Sequence, residues 1–264
     1  MRKAITGAIY ALSGAIGVLA FVYPLLVPEF ATAGMGQAHS QVAPLITAVL
    51  VGLTLLALVV ELQGRTLSAK TVAILGVLVA VTSVLRFIEV AIPLPGGFSP
   101  IFAPIILAGY VFGARFGFLM GAFTLLASAL VTGGVGPWLP FQMFSAGWAG
   151  MTGGWLPSSK LGTGRAAISL LCGFGFVWGL VYGVIINLYF WPFAVGPASQ
   201  TWAPGLSIGD TVARYVTFYV VTSLAWDIPR AVGNAAMILV LGGPLIKSLL
   251  RFRRRFYFEV ITDA

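Results

Sequence analysis

The sequence carries very little charge. Only 8% of its 264 residues are charged and 59% are hydrophobic, with a mean hydropathy of +1.01. Soluble domains typically have about 25% charged residues, so this chain lacks the polar groups that a water-exposed surface needs. The scarcity of charge excludes an ordinary soluble domain and predicts an all-α integral membrane protein, whose helices satisfy their own backbone hydrogen bonds in lipid.

Cysteine and histidine are also scarce. Cys172 is the single cysteine and His39 the single histidine, which excludes an intramolecular disulfide and the usual zinc sites. The phosphate-loop, H-E-x-x-H and G-x-S-x-G motifs are absent as well. We therefore expect no metal, no cofactor and no ATP hydrolysis by this chain, and an enzyme becomes the weaker class of function.

Long apolar runs fill most of the chain. They are numerous enough for about eight membrane spans of roughly 20 residues each. The runs lie at 4–27, 44–61, 70–92, 100–114, 116–132, 141–157, 166–191 and 229–250. A further apolar stretch, 208–226, is interpreted as a short helix or re-entrant segment on the outer side.

Twelve of the fifteen lysine and arginine residues lie at the chain ends and on alternate connections. These residues are Arg2, Lys3, Arg65, Lys70, Arg115, Lys160, Arg165, Lys247, Arg251, Arg253, Arg254 and Arg255. The other connections, 28–43, 93–99, 133–140 and 192–207, contain none. The positive-inside rule therefore predicts that both termini are cytoplasmic. Orientation in the lipid bilayer explains the net charge of +8, so no nucleic-acid partner is expected.

Small residues recur at four-residue spacing, which places them on one face of a helix. The series are Gly76 and Ala80; Gly113, Gly117 and Gly121; Ala146, Gly150 and Gly154; and Gly175, Gly179 and Gly183. Such faces allow helix backbones to approach closely. They predict internal packing, with a face for a partner protein as the alternative.

Ionisable residues occur at two places within or next to the apolar runs. Arg86 and Glu89 lie near the end of one run, and Asp227 and Arg230 precede Asn234 in AWDIPRAVGN. Because ionisable groups are costly at membrane depth, they usually pair or face a cavity. Asp227 and Asn234 share a helix face that could bind a ligand. Alternatively, Asp227 is only the N-cap of the last helix and pairs with Arg230.

The stretch GGVGPWLPFQMFSAGW, residues 133–148, is rich in helix breakers and aromatics. Its glycines and prolines predict a tight uncharged loop. Trp138 could anchor the protein at the membrane surface. Because Gln142 is an unusual residue to expose to lipid, we predict that Pro137, Trp138 and Gln142 form one side of a ligand pocket.

Three segments together resemble a known family. AGYVFGARFGF, GPWLPFQM and WDIPRAVGN are similar to the substrate-binding (S) components of energy-coupling factor (ECF) transporters, and the resemblance covers about residues 62–255. It implies a six-helix membrane core at 63–255, preceded by two additional transmembrane helices within 1–62 and followed by a cytoplasmic tail at 256–264. Cobalamin-type members are the most similar.

The resemblance also implies partners and a site. S components bind a vitamin from outside and associate with a membrane coupling subunit and two ATPases in the cytoplasmic membrane. The implied ligand loops follow the first, third and fifth core helices, at 93–100, 131–142 and 192–228. The substrate-binding candidates are Arg86, Phe98, Pro137, Trp138, Gln142, Asp227, Arg230 and Asn234. The implied face for the coupling subunit is Ala73, Gly76 and Ala80.

Alternatives to this function stay open. Riboflavin or a thiamine precursor could replace cobalamin as the ligand. A small integral-membrane enzyme acting on a lipid would instead use Arg86, Glu89, Asp227 and Arg230 as catalytic residues. An assembly subunit without a ligand would have a dry interior.

Overall fold

The computed structural model describes residues 2–26, 69–92 and 96–255, and the isolated positions 45, 48, 49, 52 and 56. Its α-helices are α1 (Arg2–Leu26), α2 (Ala69–Ala91), α3 (Phe102–Phe112), α4 (Ala114–Thr132), α5 (Leu139–Gly153), α6 (Ser158–Leu161), α7 (Arg165–Phe190), α8 (Ile208–Thr222) and α9 (Leu224–Arg255). A 3-10 helix, Trp191–Phe193, follows α7. Strands are absent from these ranges, so the all-helical prediction is confirmed for the part of the chain that is described.

Four helices of the described part are long and apolar enough to cross a membrane. They are Lys70–Ala91, Ala114–Thr132, Arg165–Phe193 and Leu224–Arg253. With the shorter apolar helices, they indicate a multi-pass membrane protein. The count of about eight spans and the cytoplasmic location of both termini stay predictions.

The N-terminal helix α1 packs against the core through aromatic side chains. The ring of Phe21 lies 5.0 Å from that of Phe141 in α5, and the ring of Tyr10 lies 5.6 Å from that of Phe118 in α4. Gly17 leaves room for the rings of Phe144 and Trp148. The second predicted N-terminal helix, 44–61, lies outside the described residues except at isolated positions.

Helix α3 is short and almost completely buried. Its eleven residues span about 16 Å, well below the ~30 Å of a bilayer core. It differs from the span predicted at 100–114 because Gly113, at φ 96°, ends α3 directly before α4 begins. Surrounding helices cover α3, which makes a short helix acceptable at membrane depth.

Three of the four small-residue series pack helices against each other, as predicted, whereas Gly76 and Ala80 are exposed on α2. A Cβ atom on Gly117 or Gly121 of α4 would overlap the backbone of Gly150 or Ala146 in α5. Gly154 likewise leaves space for the backbone at Ala114. Gly113 is the exception, since nothing lies within 4 Å of its Cβ position and it serves as the break between helices.

The series Gly175, Gly179 and Gly183 joins α7 to α9 in an antiparallel pair. Gly183, Gly179 and Gly175 face Asp227, Ala231 and Asn234 respectively. A side chain at Gly179 would overlap the backbone of Ala231. These contacts fix the position of the first turns of α9 along α7, and with them the position of Arg230.

Helix α8 is the short helix expected within 208–226. Its 15 residues are fewer than the roughly 20 of a typical membrane span, as are the 15 residues of α5. Tyr215 and Tyr219 donate their hydroxyl hydrogens to the carbonyl oxygens of Val184 and Leu180 in α7. Burial raises the pKa of both phenols, so both hydroxyls stay protonated and able to donate.

Candidate ligand-binding cavity

A cavity of about 330 Å³ lies where α2 ends and the loop 96–101 begins. Helices α3, α4, α5, α7 and α9 each contribute to it. Its lining consists of Arg86, Glu89, Gly96, Gly97, Phe98, Ser99, Ile101, Phe102, Leu125, Gln142, Tyr182, Ile186 and Arg230. By the predicted topology, this is the outer end of the helices.

One charged group of the cavity is the pair of Arg86 and Glu89. The Arg86 guanidinium donates to Glu89 Oε1, one helical turn away in α2. Ser99 donates its hydroxyl hydrogen to Glu89 Oε2 at 2.7 Å. Both carboxylate oxygens of Glu89 therefore accept hydrogen bonds. The side chain of Arg86 is 26% exposed and that of Glu89 is 15% exposed, so the arginine remains accessible from the cavity.

The other charged group is Arg230, held by α9 and α7. Its guanidinium donates to Asp227 Oδ1 and, at 3.5 Å, to the carbonyl oxygen of Gly179. The guanidinium carbon also lies 5.1 Å from the ring centroid of Tyr182, a cation–π distance. Asp227 is 3% exposed and does not line the cavity, so it neutralises Arg230 from behind.

The loop 96–99 is seated on the start of α9. Gly96, at φ 70°, contacts the Pro229 ring, where a Cβ atom would overlap it. The amide of Gly97 donates to the carbonyl oxygen of Trp226 at 3.0 Å. The ring of Phe98 lies against Gly233, which has no side chain to displace it. Loop and helix therefore enclose one side of the cavity together.

Apolar side chains form the rest of the cavity. The Phe102 and Tyr182 rings meet edge to face at 4.6 Å, and Leu125 and Ile186 line the same space. Combined with two arginines, a glutamate and an amide, this lining suits an organic molecule that has a polar end and an apolar body.

Of the predicted substrate-binding residues, Arg86, Phe98, Gln142 and Arg230 line this cavity. Trp138 does not line it. Its indole nitrogen donates to the carbonyl oxygen of Gly134 at 3.1 Å, and the residue is 44% exposed. Pro137, in the same turn, is also absent from the lining. The loop GGVGPW thus folds on itself, while Gln142, one turn into α5, reaches the cavity.

Asp227 and Asn234 share a helix face as predicted, but that face packs on α7. Asn234 is fully buried and donates its amide to the Gly175 carbonyl oxygen at 3.1 Å. The alternative role of Asp227 as N-cap is wrong, because α9 begins at Leu224 and the Asp227 amide already bonds to the Ser223 carbonyl. Its predicted ion pair with Arg230 is present.

The predicted face for a coupling subunit lies on the surface of α2. Ala73, Gly76 and Ala80 are all exposed, and nothing lies within 4 Å of the Cβ position of Gly76. The face is therefore available to a partner or to lipid.

Among the cavity residues that the sequence analysis did not name, Ser99, Phe102 and Tyr182 make specific contacts. Ser99 is adjacent to Phe98, but its bond to Glu89 depends on how the loop folds back on α2. Tyr182 lies in the middle of an apolar run, where nothing distinguishes it from a lipid-facing residue. Only its contacts with Phe102 and Arg230 bring it to the cavity.

In the described ranges, no group of three or more His, Cys, Asp or Glu side chains is arranged to hold a metal ion. His39 lies outside the described residues.

Comparison with known proteins identifies the family. The family described as "ECF transporter, substrate-specific component" matches residues 70–242, which is more than half of the chain. Comparisons with curated proteins and with solved structures gave no match. The match spans α2 to α9, including every helix that lines the cavity. The chain therefore belongs to the family of substrate-specific components of ECF transporters.

Proposed function

We propose that this protein is the substrate-capture subunit of an ECF-type vitamin importer in the cytoplasmic membrane. The observation that carries the proposal is the cavity of about 330 Å³, bounded on one side by the loop 96–99 and lined by both charged and aromatic side chains. It lies within the part of the chain that matches the family. The ligand would enter from outside and leave toward the cytoplasm.

The size of the cavity bears on which vitamin is bound. Pockets for drug-sized ligands range over about 300–1,000 Å³, and this one is at the lower end. The sequence resemblance favours cobalamin, which is far larger than a drug-sized ligand. The cavity volume instead favours a compact vitamin, a group that includes the alternatives riboflavin and a thiamine precursor.

Transport would require partner subunits, because the chain has no phosphate-binding loop of its own. We propose that a membrane coupling subunit, carried by two ATPases, docks on the α2 face at Ala73, Gly76 and Ala80. The small side chains there would allow close approach of a partner helix.

An enzyme acting on a lipid is less well supported. Membership in a family of transporter components argues against it. The carboxylates that it would use are bound in ion pairs with Arg86 and Arg230, and Asp227 lies behind its arginine rather than at the cavity.

The test is mass spectrometry of small molecules that co-purify with the full-length protein, followed by calorimetry with the molecule identified. We expect a vitamin or vitamin precursor at close to one per protein, and no ATPase activity without partner subunits. An empty protein that binds no vitamin from a broad panel, and does not co-purify with a co-expressed coupling subunit, would contradict the proposal.

A further inference from the structure

We infer that the cavity selects a compact ligand bearing one carboxylate, which Arg86 and Arg230 bind. This inference rests on the proposed function, because it specifies the class of molecule that the capture subunit recognises. The two arginines face the cavity from different helices, Arg86 from α2 and Arg230 from α9.

The charges that face the cavity do not balance. Arg86, Arg230 and Glu89 line it, whereas Asp227 is 3% exposed and lies behind Arg230 against Gly183. Each ion pair is neutral as a whole, but the charged groups that a ligand would touch are two guanidinium groups and one carboxylate. Because opposite charges attract and like charges repel at short range, an anionic group of a ligand is favoured there over a cationic one.

The hydrogen-bonding groups show the same asymmetry. Both oxygens of Glu89 already accept bonds, from Arg86 and Ser99. A guanidinium has five N–H donors. In the described part of the chain, Arg86 and Arg230 each donate only through Nη1. The Nη2 of Arg230 lies next to Gly97, in the cavity lining. The cavity therefore has unused donors and needs a ligand with acceptors.

A carboxylate meets both requirements. It carries one charge and is planar, so it can accept two parallel N–H bonds from a guanidinium. A phosphate monoester carries about −1.5 to −2 at neutral pH, so it would bring more negative charge than a carboxylate into a cavity that already contains the Glu89 carboxylate. Gln142, which also lines the cavity, adds an amide that can donate to or accept from the polar end of the ligand.

The opposite part of the lining determines the rest of the ligand. Phe98, Phe102, Leu125 and Ile186 present aromatic and aliphatic surface. With about 330 Å³ available, the body of the ligand is a small ring or a short branched chain. A cationic ligand, such as thiamine, would meet two arginines and is disfavoured.

The test compares vitamins with neutral analogues of nearly the same shape. The probes are nicotinic acid with nicotinamide, biotin with biotinamide, and pantothenic acid with panthenol, titrated into the full-length protein in lipid nanodiscs. We expect at least one acid to bind about 10- to 100-fold more tightly than its neutral analogue, the usual gain from charge-assisted hydrogen bonds.

Variants then assign the gain to the arginines. Arg86→Lys keeps the charge but removes the bidentate geometry and should reduce the preference for the acid. Arg86→Gln alone would leave Glu89 unpaired, so the double variant Arg86→Gln/Glu89→Gln is used to abolish the preference in a folded protein. Arg251→Gln, an exposed arginine at the far end of α9, is the matched control and should retain it.

The outcomes separate the inference from the proposed function. Binding of riboflavin or cobalamin, with none of the three acids bound, would overturn the carboxylate inference and leave the proposed function intact. Equal affinity for an acid and its neutral analogue would overturn it as well. If no vitamin binds at all, the proposed function fails too.

Discussion

At the scale of single residues, the absence of a side chain determines how closely the helices approach. Gly179 of α7 faces the backbone of Ala231 in α9, and a Cβ atom there would lie 2.6 Å from the Ala231 nitrogen. Gly173, two turns earlier in α7, has nothing within 4 Å of its Cβ position. Identical residues in one helix thus have different roles, one in packing and one at the surface.

Gly179→Ala should destabilise the protein. The added methyl group meets backbone rather than a movable side chain, so α7 and α9 must separate, at a cost of about 1–3 kcal/mol. The apparent melting temperature of the purified protein measures the effect. Gly173→Ala is the control and should leave that temperature unchanged or slightly raised, because alanine is favoured over glycine in helices. Equal effects of both changes would contradict the packing role.

At the scale of structural elements, the loop 96–99 and the first turns of α9 behave as one unit. The loop bonds to Trp226, contacts Pro229 and lies beside the Arg230 guanidinium. Helix α9 in turn is positioned by the glycines of α7. The position of Arg230 at the cavity therefore depends on the loop 96–99 and on α7, the two segments that pack on the start of α9. The ion pair of Arg230 with Asp227 lies within α9 itself.

Gly97→Ala should weaken ligand binding more than it affects folding. The new methyl group would lie 2.5 Å from the Trp226 carbonyl oxygen and 2.8 Å from Arg230 Nη2, so the loop must move off α9. We expect the Kd of the co-purified ligand to rise about tenfold, a loss of about 1.4 kcal/mol. Gly196→Ala, in an exposed loop with its nearest atom at 3.8 Å, is the control. An unchanged Kd for Gly97→Ala would show that the loop does not enclose the ligand.

At the scale of the whole molecule, the distribution of lysine and arginine predicts the orientation in the membrane. The loop 192–207 contains neither residue, whereas the connection between α5 and α7 contains Lys160 and ends at Arg165. The long helix α7 separates these two connections. The cavity is at the end of the bundle near the loop 96–99, which the same rule assigns to the outside.

Labelling of single cysteines tests this orientation. In a Cys172→Ala background, Ser199→Cys should react with a membrane-impermeant maleimide in intact cells. Gly164→Cys should react only after the cells are permeabilised, because the two positions are separated by α7, which is long and apolar enough to cross a membrane. Both positions are exposed in the structure, so access to the reagent is not limited by burial. The opposite labelling pattern would place the cavity on the cytoplasmic side.

The sequence by itself determined the class of the protein and most of its helices. Apolar runs and the absence of charge specify helices in a membrane, because a backbone in lipid must satisfy its own hydrogen bonds. Four-residue spacing of small residues predicted close helix packing, which the structure shows between α4 and α5 and between α7 and α9. These features depend on neighbours within one helix, which the order of residues directly encodes.

Only the tertiary structure decided which polar residues face the cavity. Asp227, Arg230 and Asn234 are within two turns of one helix, yet Asp227 and Asn234 pack on α7 while Arg230 reaches the cavity. Trp138 and Gln142 are four residues apart, and only Gln142 lines it. Tyr182 joins them from the middle of an apolar run. Helix rotation and the fold of the loop 96–99 set these directions, and both result from contacts between segments distant in the chain.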